Sequence, residues 1–312
     1  MLKQFHYQDF KNTDTLVKHK QQKGIAVSVV LPALNEEKTI GTIVSYIKEH
    51  FTGDTPLVDE IIVIDGNSSD GTVQIAKCSG ALVYNINEIV SNVQAQGKGV
   101  ALWKSQFITK GDILLFIDSD ILDFDKRFIS GLLGPLLIDE EVMFAKAFYK
   151  RPFCIGSERY ENFGGRVTEI LVRPFLSVMS PELAEVIQPL AGEYAIRRAV
   201  ADQLSFWSGY GVEIGLLLDI FTTYGLQSIA QVDMEDRHHR NRNVMELSKM
   251  AFGILHVMLK KFERMGIMTI NTPLGQKLQG MSSEDDANHT LVESELPPKC
   301  ELAEREFADA IA

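Results

Sequence analysis

Between residues 26 and 117, short apolar runs alternate with segments of helical period, and this alternation constrains the fold more than anything else in the chain. Residues 26–31 (AVSVVL), 60–64 (EIIVI), 81–84 and 112–117 are compact, apolar and bounded by turn residues, as buried strands are. Between the first two, residues 36–50 set Ile40, Ile43, Val44 and Ile47 at i, i+3, i+4 and i+7, which predicts a helix. Asn35 is its expected N-cap, with Glu36 and Glu37 at its positive end. A helix at 72–79 follows, and Gly97-Lys98-Gly99 opens another. Such a β-α-β-α-β-α-β rhythm predicts an α/β fold with a Rossmann-like, mostly parallel, doubly wound sheet. No G-x-G-x-x-G follows the first strand, which excludes the usual dinucleotide-binding turn.

After Asp120 the pattern becomes mixed α+β. Strands are expected at 142–149, 193–196 and 228–232, with helices at 168–179 (interrupted by Pro174), 213–223 and 244–262. Residues 1–23 are polar, contain no β-type run and read as a peripheral helix or arm. From about residue 275 the chain turns polar and acidic, the composition of a loosely held tail. The expected division is an arm at 1–23, one domain at 24–274 and an acidic tail at 275–312. Within that domain, 24–140 would form one half and 141–274 the other.

The fourth strand runs into Asp118-Ser119-Asp120. Two carboxylates at i and i+2 just past a buried strand can hold a divalent cation against a diphosphate, and strand ends are where α/β sheets bind ligands. A solvated loop would explain the triplet alone as well. Lys and Arg number 31 against 42 Asp and Glu, a net charge of −11, so no basic field exists to gather nucleic acid. An anionic substrate must then be held by a metal and a few local cations. Cys78, Cys154 and Cys300 are widely spaced, which excludes a cysteine zinc site or a disulfide framework and suits a reducing compartment. No run reaches membrane-span length and the N-terminus lacks the apolar core of a secretory signal, so a soluble, cytoplasmic protein is expected, with no membrane partner.

Several further positions suit the same chemistry. Pro32, Ala33, Leu34, Asn35 and Glu36 form the turn after the first strand, where exposed backbone and a carboxylate can read a base or ribose; helix capping explains them more simply. Asp65 and Asp70 can hold ribose hydroxyls or uracil, or merely shape a turn. Lys98, between two glycines, can approach a phosphate or a leaving oxygen. Asp236-Arg237-His238-His239-Arg240-Asn241-Arg242 is the densest basic cluster in an acidic chain, and a histidine from it could complete a metal shell begun by Asp120. Gly164-Gly165-Arg166-Val167-Thr168 opens a helix, with amides, a guanidinium and a hydroxyl suited to an anion. Gly209-Tyr210-Gly211-Val212-Glu213 puts a carboxylate at the first turn of a buried helix, as a cap or as a ligand for sugar hydroxyls.

The ordered series VSVVLPALNEE, IIVIDGNSSDGT, GKGVALWKS, DILLFIDSDI, FYKRP, GGRVTE, RPFLSVMSPEL, QPLAGEYAIRR, GYGVEIGLLLD and HRNRNVMEL resembles the glucosyl-3-phosphoglycerate synthase family from about residue 25 to 262. The resemblance implies a GT-A type nucleotide-sugar-binding fold with an acceptor-binding C-terminal half. It also implies a retaining transfer of glucose from UDP-glucose to the C2 hydroxyl of 3-phosphoglycerate. Mg2+ or Mn2+ would serve as metal, the enzyme would be a homodimer, and the product would lead to a compatible solute, glucosylglycerate. By the same resemblance Pro32, Ala33, Leu34, Asn35, Glu36, Gly66, Lys98, Asp118 and Ser119 bind the nucleotide-sugar. Asp120 and His239 hold the metal, and Tyr210, Gly211, Val212 and Glu213 face the sugar. Gly165, Arg166, Val167, Thr168 and Asn241 grip phosphoglycerate, while Arg237 lies near the diphosphate. Catalysis would fall to Asp120, Lys98, Glu213 and Arg237.

Two positions depart from the family pattern. Gly66 stands where the family usually has serine, and Ala191 where it has glycine in Gln188-Pro189-Leu190-Ala191-Gly192-Glu193-Tyr194. An inverting polysaccharide or lipid-sugar transferase is the nearest rival, but its Gln-x-x-Arg-Trp motif and membrane anchor are missing. A nucleotidyltransferase would need a glycine-rich signature after the first strand. The remaining alternatives are another soluble transferase of this fold and a non-catalytic nucleotide-sugar sensor.

Overall fold

The computed structural model describes residues 1–54, 56–95, 97–155, 158–163, 165–236, 243–279, 289–290 and 293–302. In chain order the elements are β1 (Lys3–His6), α1 (Thr13–Lys23), β2 (Val27–Ala33), α2 (Ile40–Phe51), β3 (Glu60–Asp65), α3 (Thr72–Ser79), β4 (Leu82–Asn85), α4 (Lys98–Ser105), β5 (Ile113–Phe116) and α5 (Lys126–Ile138). The second half holds β6 (Phe144–Ile155), β7 (Glu158–Phe163), α6 (Arg173–Met179), β8 (Tyr194–Arg197), α7 (Arg198–Ala201), β9 (Phe206–Trp207), α8 (Val212–Tyr224), β10 (Ile229–Asp236) and α9 (Val244–Arg264). Short pairings β11 (Lys277–Leu278) with β12 (His289–Thr290), and β13 (Glu295–Leu296) with β9, complete it.

The main sheet runs β1-β10-β6-β8-β5-β2-β3-β4, with β7 paired to β6. Its neighbours are parallel except where β8 runs antiparallel between β6 and β5 and where β7 turns back on β6. Alternation along the strands feeds two cores, one on each face. Ile62, Ile64, Leu114 and Phe116 point into the one that also holds Trp103, Ile214 and Val257. Ile61, Val63, Ile113 and Leu115 point into the other, with Ile43, Ile47 and Phe128. Both faces are covered, which is why these strands read as continuous apolar runs.

Chain order reverses between β2 and β5, since β3 and β4 extend the sheet on one side of β2 and β5 lies on the other. Ligands of such sheets bind in the crevice at that reversal. Because β6 and β10 run in the same direction as β5, the C-terminal end of β10 lies at the same sheet edge.

Four expectations differ from what is observed. Residues 1–23 were expected to lack a strand, yet Lys3–His6 pairs with β10 as an edge strand, and Phe10 and Leu16 are buried behind it. Pairing with an existing edge needs no strong alternation of its own. Asn35 is not an N-cap: it sits at φ 57, and α2 begins later, after Thr39. The helix expected at 168–179 with an interruption at Pro174 is instead unbroken over 166–179, widening into a π-turn at Thr168–Val172 just before the proline. Residues 293–302 are docked rather than loosely held, as β13 and the burial of Leu296 show. Among the described residues no helix is long and apolar enough to cross a membrane.

Candidate active site

Asp118, Ser119 and Asp120 leave β5 at the crevice, and Ile117 extends the ladder by donating its amide to Val30 O at 3.1 Å. Ser119 ties the two sides together: its hydroxyl donates to Pro32 O at 2.7 Å, while Thr39 Oγ1 donates to Ser119 O at 2.6 Å. The turn after β2 is therefore bound to the turn after β5. It is bound equally to the turn after β3. The Asn35 amide donates to Ser68 Oγ at 2.9 Å, and Asn35 Oδ1 accepts from the Ser69 amide at 2.8 Å. The Glu36 amide donates to Thr72 Oγ1 at 2.8 Å. Asp65 is committed to turn shaping, accepting the Asn67 and Ser68 amides at 3.1 Å each. Asp70 does the same for Thr72 at the start of α3, at 3.0 Å. Ala33 supports the Gly66 amide at 2.8 Å, and Leu34 stands 56% exposed on this rim.

Lys98 is the centre of the site. Its ammonium lies 2.5 Å from Asp118 Oδ1 and 2.8 Å from Glu213 Oε1, with the Glu213 side chain only 5% exposed. Burial pushes the Lys98 pKa down, but the charges of Asp118 and Glu213 outweigh it and hold the group well above its ordinary value. The flanking glycines are required by close approach. Gly97 sits at φ +121, and a Cβ on Gly99 would collide with the carbonyl of Trp207. That approach lets Val100 N bond Ser208 O at 3.1 Å, so α4 starts on the segment that leads into α8 and Glu213. Gly192 lies against the ion pair, because a Cβ there would overlap Asp118 Oδ2 and Lys98 Nζ.

Beneath this rim is a second polar layer that sequence reasoning missed. Lys146 is 1% exposed, donates to Ala191 O at 2.8 Å and lies 4.8 Å from the Tyr194 ring centroid. Burial lowers its pKa to about 8 against a partial upward pull from Glu213. Tyr149 donates to Glu193 Oε2 at 2.9 Å, and burial together with the Glu213 charge holds the Tyr194 hydroxyl well above its ordinary value. The available signal was a lysine in the inward register of an apolar strand, Phe144-Ala145-Lys146-Ala147.

The structure thus brings together Lys98, Asp118 and Glu213, and separately fastens the turn of Pro32, Ala33, Leu34, Asn35, Glu36 and Gly66 to Ser119. Asp120 is half-buried two residues past Asp118. Tyr210, Gly211 and Val212 lead into α8, with Tyr210 40% exposed. Gly165, Arg166, Val167 and Thr168 lie at the start of the helical run before α6, and Thr168 and Val167 are buried. Arg237, His239 and Asn241 lie outside the described residues; they directly follow β10. The donor set fits a divalent cation carried in by a diphosphate. Asp120 offers carboxylate oxygen at the crevice, and among the described residues no group of three His, Cys, Asp or Glu side chains forms a complete protein cage.

A sheet reversal with a carboxylate-paired lysine and an Asp-x-Asp turn fits a nucleotide-sugar glycosyltransferase of the GT-A class, and the likeness to known proteins shows that fold and that class. Residues 28–201 match the sequence model of glycosyl transferase family 2. The glucosyl-3-phosphoglycerate synthase of Petrotoga mobilis is 45% identical over 274 residues, 88% of this chain and 84% of that protein. The crystal structure of the Mycobacterium tuberculosis glucosyl-3-phosphoglycerate synthase in complex with Mn2+, UDP-glucose and phosphoglyceric acid superposes with a TM-score of 0.82. It is 38% identical and covers 96% of this chain and 98% of that one. The mannosyl-3-phosphoglycerate synthase of Rubrobacter xylanophilus gives a TM-score of 0.84 at 33% identity, covering 96% of this chain and 97% of that one. The chain belongs to the glucosyl-3-phosphoglycerate synthase family, and it is a glycosyltransferase.

Proposed function

We propose that this chain transfers glucose from UDP-glucose to the C2 hydroxyl of 3-phosphoglycerate with retention at the anomeric carbon. The product, glucosyl-3-phosphoglycerate, is a precursor of glucosylglycerate. The observation that carries the reading is Lys98, fixed as a cation by Asp118 and Glu213 at the sheet reversal. The ligands of the M. tuberculosis relative support the choice of substrates.

In this reading Pro32, Ala33, Leu34, Asn35, Glu36, Gly66 and Ser119 form the rim for the nucleoside. Asp120 and His239 hold the metal, and Arg237 lies near the diphosphate. Gly165, Arg166, Val167, Thr168 and Asn241 take the phosphoglycerate. The bound metal supplies Lewis-acid neutralisation of the departing diphosphate. Lys98 adds a fixed positive charge where negative charge develops, the kind of stabilisation that is often the largest catalytic term. Glu213 is already engaged with Lys98, which favours positioning over nucleophilic attack. The reaction then runs on one face of the sugar. The acceptor C2 oxygen bonds to the anomeric carbon as the bond to UDP breaks, and the hydroxyl proton passes to a diphosphate oxygen. Tyr210, Gly211, Val212 and Glu213 border the sugar.

The first test is product formation from UDP-glucose and 3-phosphoglycerate with Mg2+ or Mn2+, beside reactions lacking acceptor or metal. Metal-dependent glucosyl-3-phosphoglycerate is expected. UDP release without phosphoglycerate would remove the acceptor assignment, and UDP binding without any turnover would favour a sensor. A second donor reading comes from Ala191 and from the likeness to a mannosyl enzyme, so GDP-mannose and GDP-glucose belong in the same assay. We further infer a cytoplasmic homodimer. The free Cys78 and Cys300 suit a reducing compartment, and light scattering in solution tests the dimer.

A further inference from the structure

The acidic C-terminal stretch read as a tail returns to the back of the active site. β13 pairs antiparallel with β9, and the Ser208 amide donates to Ser294 O at 2.9 Å while the Ser294 amide donates to Ser208 Oγ at 2.9 Å. Trp103, fully buried on α4, gives its indole N–H to Pro297 O at 2.8 Å. Ser205, Lys261 and Arg264 all bond or pair with Glu295. The segment therefore grips β9, the stretch on which Gly97-Lys98-Gly99 is seated.

Glu293 goes further. Its Oε1 accepts the Gly211 amide at 3.1 Å, and the amides of Tyr210 and Gly209 also face the carboxylate. Gly211 is the residue from which α8 starts, and no side chain of its own caps that helix. The carboxylate fills a cradle made by three glycines: a Cβ on Gly209 or on Gly253 would stand 2.6 Å from Oε1, and one on Gly211 2.9 Å from Oε2. Two residues beyond Gly211 is Glu213, which holds Lys98.

We propose that residues 293–297 are a strap that positions the donor site, with the Glu293 carboxylate setting the Gly209-Tyr210-Gly211 loop and, through it, the Glu213–Lys98 pair. Glu293 is a positioning residue acting through its acceptor oxygen. The proposal rests on the function above for its substrates, and on the geometry alone for the strap.

The test uses the full chain, with rates normalised to sites that bind UDP and Mn2+ by calorimetry. Glu293→Ala should lower kcat about tenfold and raise the UDP-glucose KM about fivefold, leaving the 3-phosphoglycerate KM within about twofold, since misplacing a catalytic pair by a fraction of an ångström costs that much. Glu293→Gln keeps an acceptor oxygen and should stay within about threefold of the unmodified enzyme. Gly253→Ala pushes on the same carboxylate from α9, where alanine is the better helix former, so it keeps the helix while reproducing the kinetic change. If Glu293→Ala fails to fold, Gly253→Ala carries the test alone. Combining the two should cost no more than Glu293→Ala by itself. Normal kcat and UDP-glucose KM per binding site in Glu293→Ala and Gly253→Ala would overturn the strap, as would equal losses in the Gln and Ala variants. If the unmodified enzyme makes no product, the substrate assignment fails instead. The strap is then judged by whether Glu293→Ala, and not Glu293→Gln, weakens UDP–Mn2+ binding.

Discussion

Two lysines near the same end of the sheet, one half-buried and one fully buried, have opposite electrostatics. On the rim, Lys98 faces two carboxylates and is held charged well above its ordinary pKa. In the layer beneath, Lys146 bonds a single carbonyl and lies beside two aromatic rings, and burial brings it down to about 8. Burial alone therefore does not mark a catalytic cation. What distinguishes the rim lysine is that two carboxylates hold it charged while its own side chain stays 20% exposed at the crevice. A cation fixed in place in advance can meet a developing anion without reorganisation. Lys146 instead supports the Ala191-Gly192 turn on which the rim pair rests.

The comparison breaks most easily on activity. Asp120→Ala, on the rim, should cost about a thousandfold in kcat/KM with the circular dichroism unchanged, since on the proposed reading the variant removes a metal ligand from a half-buried position outside the core. Normal turnover would displace Asp120 from the metal. Lys98→Ala should cost about a hundredfold or more. Lys146→Met, of similar reach but uncharged, should keep activity within about tenfold. Steady-state rates of the two lysine variants side by side decide the matter. Equal losses would mean that the lower layer takes part in the chemistry.

Stability against pH sharpens the same contrast. The folded pKa of Lys146, about 8, lies below the ordinary lysine value of 10.5, so the native state sheds a proton that the unfolded chain keeps. Between those values stability rises with pH by up to about 3 kcal/mol, and below about 8 that gain is absent. Urea unfolding at pH 7 and 9.5 should show the unmodified protein gaining about 2 kcal/mol relative to Lys146→Met. Parallel pH dependences would place Lys146 in a wetter environment than its burial shows.

Most of the donor half was legible because its signals are local. The runs at 26–31 and 60–64 became β2 and β3, and Gly97-Lys98-Gly99 does open α4. What could not be read was pairing at a distance. Lys3–His6 is a strand only because β10 offers it an edge. Lys126–Ile138 carries Gly131, Gly134 and Pro135, which obscure a helix; those glycines pack under Met234 and Phe10. Asp118 and Glu213 were both singled out, but their meeting on Lys98 depends on α8 reaching the crevice, which no spacing in the sequence encodes. Glu293 looked like tail acidity because its cradle is three glycines from two other segments.

The smallest effect is expected at Gly66, on the rim, where the family pattern expected from the sequence would place serine. A Cβ there would stand 3.4 Å from Ala33 O and 3.6 Å from Leu34 Cβ, ordinary contact distances, and the backbone does not require glycine. Ser68, the nearest hydroxyl that could substitute, already accepts the Asn35 amide at 2.9 Å. Gly66→Ser should therefore enter without strain and add one hydrogen bond toward the nucleotide, lowering the UDP-glucose KM by about threefold with kcat unchanged, the scale of a neutral hydrogen bond exchanged against water. An unchanged KM would mean that position 66 only shapes the turn. A lowered kcat would mean that the rim is coupled to the Lys98 pair more tightly than the Ser119–Pro32 bond implies, and the division between binding rim and charged centre would have to be redrawn.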